Sequence, residues 1–334
     1  MIAGPALAAW LADGDAQKRS YDGVEACARR WNQQPLMTEL ERQLSELPEE
    51  SPEAVLGVAR AFMDRTADID ALMGDLLAAS AKDPFFRPPF FPLSSDIHTA
   101  LLMFHSPELS IALGVTGVDM LAAKKTGPSG PTSIGFTGVA SLFRYLKAGG
   151  ATVSFWEAPP ITEDFVAADA GQARLIGRRR IEDGEELLID GRYQSFVIEH
   201  ATGDVVYFQA TARPGAAPLA VEYDSKTLAF VGASTTDEAS ARVQLMVSLL
   251  RTMERDDALP LIIEALNSPH FYTRWHIMRE LLAMDADVAL APLRRMAASD
   301  PHPEVRAAAR QSLELFFAGE GEPGPGQGEI ECRA

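Results

Sequence analysis

Apolar residues recur at three- and four-residue spacing in the first and last parts of the chain and gather in short β-branched and aromatic runs between them. The pattern predicts helices, then strands, then helices. Leu36, Leu40, Leu44 and Leu47 mark one amphipathic helix that stops at Pro48. Ser51-Pro52-Glu53 opens the next, with Ser as N-cap and Pro in the first turn, and Val55, Val58, Ala59, Phe62 and Met63 form its stripe. Ile69, Leu72, Met73, Leu76 and Leu77 mark a third, so residues 1–82 read as a helical segment. Residues 83–93 cannot continue it. Asp83-Pro84-Phe85-Phe86-Arg87-Pro88-Pro89-Phe90-Phe91-Pro92 carries four prolines that remove backbone donors and force extended geometry. It reads as a linker whose phenylalanines anchor it to a neighbouring surface.

From 94 to 233 the runs are short and rich in β-branched and aromatic residues: Thr99–Phe104, Leu109–Val115, Ala151–Trp156, Ser195–Glu199, Val205–Ala210 and Leu228–Val231. Turn-forming stretches such as Lys125–Pro131 and Ala201-Thr202-Gly203-Asp204 separate them. Many short strands favour an antiparallel sandwich or barrel over a parallel sheet. Helical texture returns at Ser234. Thr235-Thr236-Asp237-Glu238 has capping-box spacing, and Ala239, Val243, Met246, Leu250 and Met253 follow as one helix face. Residues 318–334, dense in Gly and Pro, predict a flexible tail. The expected fold class is therefore α+β and multidomain, with N-terminal helices, a central antiparallel sandwich or barrel, and C-terminal helices over 234–317.

Charge removes one class of partner. The formal net charge of −17 opposes binding to nucleic acid, whose affinity comes from Lys and Arg on phosphates. The one basic run, Arg178-Arg179-Arg180, is followed by Glu182, Asp183, Glu185 and Glu186 and predicts local pairing. Cys27 and Cys332 give neither a disulfide framework nor a zinc cluster. The apolar start, Met1 to Leu11, has no basic flank and falls short of the roughly 20 residues that a membrane span needs. A cytoplasmic protein with no membrane partner is the expectation. No phosphate loop, Gly-x-Gly-x-x-Gly or Gly-x-Ser-x-Gly elbow is present.

An internal repeat runs through the helical end. Ser268-Pro269-His270-Phe271-Tyr272-Thr273-Arg274 aligns with Asp300-Pro301-His302-Pro303-Glu304-Val305-Arg306 at an offset of 32 (306 minus 274). Leu259-Pro260-Leu261 lies over Ala291-Pro292-Leu293, and one more step back places Arg242 on the same position. Residues 234–317 resemble HEAT repeats, stacked helix pairs with a proline in the first helix and an Arg in the second. With fewer than three full units, such an array is expected to lean on another part of the chain. On its helix from 271, Trp275, Met278 and Arg279 replace small or polar residues of the partner repeat. They are candidate anchors for a peptide or protein partner.

The middle region resembles the cupin family over Gly184-Glu185-Glu186-Leu187-Leu188-Ile189-Asp190-Gly191-Arg192-Tyr193-Gln194. That family's second motif ends on a metal-ligating His, and Gln194 stands at its place, while its His-x-His motif has no match here. The resemblance thus implies a jelly-roll fold without its metal. Arg192, Gln194 and Trp156 become the candidate binding residues for a small organic ligand in an apolar pocket. The alternative is a non-haem iron oxygenase whose displaced ligands come from His98, His105, Glu157 and His200, a two-His-one-carboxylate arrangement for Fe. The leading expectation is an accessory binding protein without a cofactor, recognising a peptide, a protein or a small organic molecule.

Overall fold

A computed structural model describes residues 4–48, 51–126 and 133–317. The tail read at 318–334 and residues 127–131 of the predicted turn lie outside the described residues. The chain forms two units, 1–162 with 170–234, and 163–169 with 235–334.

The first unit opens with α1 (Pro5–Ala12), α2 (Gly14–Asn32), α3 (Pro35–Ser45), α4 (Pro52–Met63) and α5 (Thr66–Lys82). Caps and prolines set their starts. Asp13 accepts from the Ala16 N–H at 2.9 Å and Ser51 from the Ala54 N–H at 3.2 Å, satisfying donors that a helix start leaves open. Strands follow: β1 (Phe91–Ser94), β2 (His98–His105), β3 (Leu109–Thr116), β4 (Ser133–Phe136), β5 (Ala140–Lys147) and β6 (Thr152–Glu157). After them come β7 (Arg174–Arg180), β8 (Glu186–Asp190), β9 (Gln194–His200), β10 (Val205–Ala212), β11 (Leu219–Asp224) and β12 (Phe230–Thr235). One helix, α6 (Val118–Thr126), interrupts them.

The strands make three antiparallel sheets, β1-β2-β3-β10-β5-β8, β7-β6-β9 and β12-β11-β4. They form a sandwich of separate sheets and not a closed barrel. The six-stranded sheet is covered on both faces. On one, Leu142, Phe208, Ala210 and Ile111 share a core with Trp31, Leu40, Val55 and Phe62 of the helices. On the other, Phe143, Tyr145 and Tyr207 pack with Val153 and Ile198 of the smaller sheet. The N-terminal helices are thus a layer of this unit. Trp31 donates from Nε1 to the Met103 carbonyl at 3.3 Å and meets Phe90 edge-on at 5.4 Å. In the proline-rich stretch Phe86 and Phe90 are buried and Phe85 stacks on Trp10, whereas Phe91 is exposed and starts β1.

The sequence reading missed β5, Ala-Ser-Leu-Phe-Arg-Tyr-Leu-Lys, because it contains none of the β-branched residues that mark the other runs. At the other extreme, β7 is an exposed edge strand. Its basic run pairs locally, Arg178 with Glu199 at 3.8 Å, Arg179 with Glu185 at 2.5 Å and Arg180 with Glu182 at 4.0 Å. Charge on an edge discourages strand-to-strand association.

The second unit holds α7 (Glu238–Thr252), α8 (Leu259–Ala265), α9 (Phe271–Met284), α10 (Ala286–Ser299) and α11 (Pro303–Phe317). Arg274 and Arg306 do the same work one repeat apart. Each points Nη1 at the two carbonyls that precede its helix, Ser268 and Pro269 for Arg274 (3.0 and 2.8 Å), Asp300 and Pro301 for Arg306 (2.6 and 2.9 Å). Arg274 also binds Asp300 in two parallel bonds, Nε–Oδ2 2.8 Å and Nη2–Oδ1 2.7 Å, tying one repeat to the next.

Arg242 does not share this role, contrary to the alignment. It is exposed and pairs with Glu238. The physical reason is that the residue equivalent to Asp300 one repeat earlier is Ser268, which carries no charge, and a strand rather than a helix precedes α7. The support that a short array needs comes from residues 163–169. The Phe165 carbonyl accepts from His302 Nε2 at 2.9 Å, and the Ala167 N–H donates to Glu304 at 2.6 Å. Phe271 stacks on the His302 ring at 3.8 Å.

The stripe on α7 is also inverted relative to expectation. Met246 and Met253 are 59 and 62% exposed. The face that meets α9 is mixed: Val247 joins the core of Ile277 and Leu281 with Leu250 packed against it, and Gln244 donates to Thr273 and Ser248 to Glu280, each at 3.0 Å.

Burial works to raise the Asp300 carboxyl, but the Arg274 bonds and the His302 N–H outweigh it and hold it below the ordinary aspartate value. Its stabilising contribution is therefore complete above about pH 3.9 and lost as the pH falls through the lower folded value. Arg274→Ala leaves a buried carboxylate unpaired and should destabilise the array by about 3–5 kcal/mol, read from its denaturant midpoint. Asp300→Asn should flatten the acid limb of the stability profile, and an unchanged limb would rule out this pair as its cause.

Candidate functional site

The sandwich does not fill with side chains. A cavity of about 1030 Å³ opens within the first unit, at the upper end of the roughly 300–1,000 Å³ common for small-molecule sites. Its walls come from the inward faces of β2, β5, β8, β9 and β10, with Ile134 and Gly135 of β4, Trp156 of β6, and Leu121 and Lys124 of α6. Strand alternation explains the lining. On β10, Tyr207, Gln209 and Thr211 point one way, while Phe208, Ala210 and Ala212 point into the helical core. On β5, Ser141 and Phe143 face the cavity and Leu142 the helices.

Polar groups on the walls are held by neighbours. His98 Nδ1 lies 2.7 Å from Thr116 Oγ1 and 3.3 Å from the Tyr207 hydroxyl, and Thr116 is fully buried. Two hydroxyls on one ring nitrogen fix the imidazole plane. Burial, and then the positive charge of Lys124, push the His98 pKa below its ordinary value, so the ring is neutral at pH 7. Burial raises the Tyr207 phenol, so it too stays uncharged. Beyond it, Gln209 donates to Thr211 at 3.4 Å and Thr211 lies 3.3 Å from Ser141. On the facing sheet Ser195 donates to the Gly135 carbonyl, and Gln194 accepts from the Asp190 N–H at 3.3 Å. The apolar share comes from Phe143, Phe196, Ile189 and Ile198, with Phe143 and Phe196 edge-on at 5.0 Å.

Of the residues singled out by sequence, Gln194 and Trp156 line this cavity, and so does His98. Arg192 is not among the lining residues. It is tied to the turn, 2.6 Å from Asp190 and 3.3 Å from the Gly215 carbonyl. In the array Trp275 packs against buried Met278, Leu293 and Met296. Met278 lies wholly inside that core, and Arg279 alone of the three is exposed.

The alternative iron ligands do not come together. His98 and His105 occupy opposite ends of β2, about 23 Å apart at strand rise. Glu157 pairs in register with Gln194 and His200 with Thr152, at opposite ends of the β6–β9 ladder. Glu157 is held by Arg174 at 2.6 Å. At the place of the family's histidine, the Gln194 amide oxygen is already engaged by a backbone N–H. Among the described residues no group of three His, Cys, Asp or Glu side chains could hold a metal, so these residues do not fit the iron of the alternative reading.

Sequence reasoning missed Thr116, Ser141, Tyr207 and Gln209. The signal was there in Val-Val-Tyr-Phe-Gln-Ala-Thr-Ala, where every second residue from Tyr207 carries a polar atom and the others do not.

Residues 233–314 match the family of HEAT repeats. No curated protein matches the chain. Solved structures similar to it include ectoine synthase from P. lautus (8% identity, 36% of this chain and 67% of that chain, TM-score 0.23). KdgF from Halomonas sp. is another (10% identity, 37% and 86%, TM-score 0.23). A third is a sugar phosphate isomerase from a cupin superfamily, from Silicibacter pomeroyi (9% identity, 43% and 79%, TM-score 0.23). No substrate, metal or activity carries over from them. Among the described residues no helix is long and apolar enough to cross a membrane.

Gly114 opposes Tyr207 on the neighbouring strand, and a Cβ at this glycine would lie 2.9 Å from the phenol ring. Gly114→Ala should displace Tyr207 from His98 and destabilise the unit by about 1–3 kcal/mol. Tyrosine near-ultraviolet circular dichroism and a thermal melt would check both, and an unaltered spectrum would show that the ring does not need this glycine.

Proposed function

We propose that the chain is a binding protein whose sandwich unit takes a small organic ligand into the cavity without a metal, and whose HEAT repeats offer a second surface to a peptide or protein. One observation carries the reading, a large apolar-walled cavity with a few side-chain hydrogen-bonding groups locked in place by buried neighbours. Preorganised polar groups in an apolar pocket are what orient a small molecule, and their fixation lowers the entropy lost on binding. A protein core built only for stability would fill this volume, since each unfilled methylene weakens it. The HEAT repeats support the second part through their class alone, as stacked helix pairs present an extended surface to partners.

The test uses N-phenyl-1-naphthylamine, an uncharged dye that fluoresces in apolar surroundings. Binding to the whole chain should be saturable and should weaken about tenfold or more in Ala100→Phe, which puts a ring into the cavity. Met246→Glu, on the exposed stripe of α7, should leave binding unchanged. No saturable binding, or binding lost in Met246→Glu and kept in Ala100→Phe, overturns the cavity as the site.

A further inference from the structure

The cavity's charges and its buried polar groups occupy different places, and this separation selects a chemical class. Among the described residues four charged side chains touch the cavity, and they sit as two opposite pairs, Asp96 with Lys124 at 3.5 Å and Arg178 with Glu199 at 3.8 Å. Asp96, Lys124 and Arg178 are exposed, so these pairs mark the rim and cancel one another there. Deeper, the polar lining is uncharged: Ser141, Ser195 and Tyr207 are buried, and the His98 ring beside Tyr207 is neutral. An ion moved past the rim would leave water without meeting a fixed counter-charge, a cost that hydroxyls alone do not offset. The chain's net charge of −17 raises the barrier further for anions.

His98 is the polar group best placed to meet a ligand. Thr116 and Tyr207 hold its Nδ1. Its Nε2 has no hydrogen bond among the described residues, and the ring lines the cavity. A neutral imidazole offers one donor or one acceptor at that atom, depending on its tautomer, and so suits a hydroxyl oxygen, which can both give and accept. Phe143 and Phe196, also on the cavity wall, supply flat apolar contact for a ring system.

We propose that the ligand of this cavity is an uncharged organic molecule that joins a flat apolar ring system to a hydroxyl group, with His98 as the hydrogen-bond partner of that hydroxyl. The proposal rests on the cavity reading above and narrows it.

Displacement of bound N-phenyl-1-naphthylamine by three compounds of one skeleton tests the class: 2-naphthalenemethanol, 2-naphthoate and 2-naphthylmethylammonium, neutral, anionic and cationic at pH 7. The alcohol should displace the dye at a concentration about tenfold or more below that needed of either ion. Equal or better displacement by either ion overturns the uncharged class while the cavity stands as a site. Failure of the dye itself to bind overturns the cavity and the class together. For the role of His98, 2-naphthalenemethanol is compared with 2-ethylnaphthalene, which replaces the hydroxyl by a methyl group. The wild-type chain should prefer the alcohol and His98→Leu should lose that preference with its thermal melt intact. A preference retained in His98→Leu, or absent from the wild type, overturns the assignment. Should His98→Leu fold poorly, His98→Gln, which keeps a donor and an acceptor, must retain the preference.

Discussion

The fold of the first unit depends on one sheet being buried on both faces. β5 and β10 lie side by side in the six-stranded sheet, and along each the side chains part in opposite directions. Leu142, Phe208, Ala210 and Ala212 go to the helices, while Phe143, Tyr145 and Tyr207 go to the second sheet. The five helices therefore carry no ligand-facing residue among those that line the cavity. Their task is to hold the back of the sheet flat enough for its front to present an ordered wall. Arg144 joins the two layers through Asp64 on the helix side and Glu186 on β8, at the one place where a charge is needed between them. Burial works against the Glu186 charge, yet its bonds to Arg144 and Arg60 hold its carboxyl below the ordinary range.

The array obeys a different rule. Its repeats are bound by the turn that starts each second helix, where an Arg gathers the two backbone carbonyls that precede that helix. Arg274 alone adds a bond to the next repeat, because only Asp300 supplies a buried carboxylate. The first helix, α7, lies outside this scheme: Val247 and Leu250 meet the α9 core beside Gln244 and Ser248, while Met246, Leu249 and Met253 face water. A unit with two and a half repeats is thus strongest at its far end, where residues 163–169 are fastened by His302 and Glu304.

This contrast explains what could be read from the chain. A repeat is a local, translational signal, so the Pro and Arg positions at 269 and 274 and at 301 and 306 were visible without any tertiary knowledge. The error at Arg242 was a failure of the same logic, which sees a matching residue but not the absence of the partner at Ser268. Strands that hold β-branched residues, such as β10, were legible, whereas β5, which has none, was not. The cavity was least legible of all. Its wall joins His98 to Tyr207, 109 residues on, and Ser141 to Thr211, 70 residues on. No spacing along the chain announces such pairs; register does. Of the cupin-like stretch Gln194 lines the cavity, whereas Asp190 and the Gly215 carbonyl hold the Arg192 guanidinium in the hairpin.

The composition of the cavity wall is itself an argument for function. Ser141, Gln209 and Thr211 stand on strands whose opposite faces are apolar apart from Arg144, so apolar residues at these three positions would be the simplest way to complete the core. Each hydroxyl or amide kept there costs desolvation that a neighbouring bond only offsets. Local rules of packing are broken in this manner where another requirement competes with stability. Gly114 belongs to the same pattern: it removes a side chain from a buried strand solely where the Tyr207 ring must pass. A sheet designed for stability alone would carry Val at such a position and Leu at the others. The departures cluster on one face, around one volume, whereas the helical face of the same strands is apolar apart from Arg144.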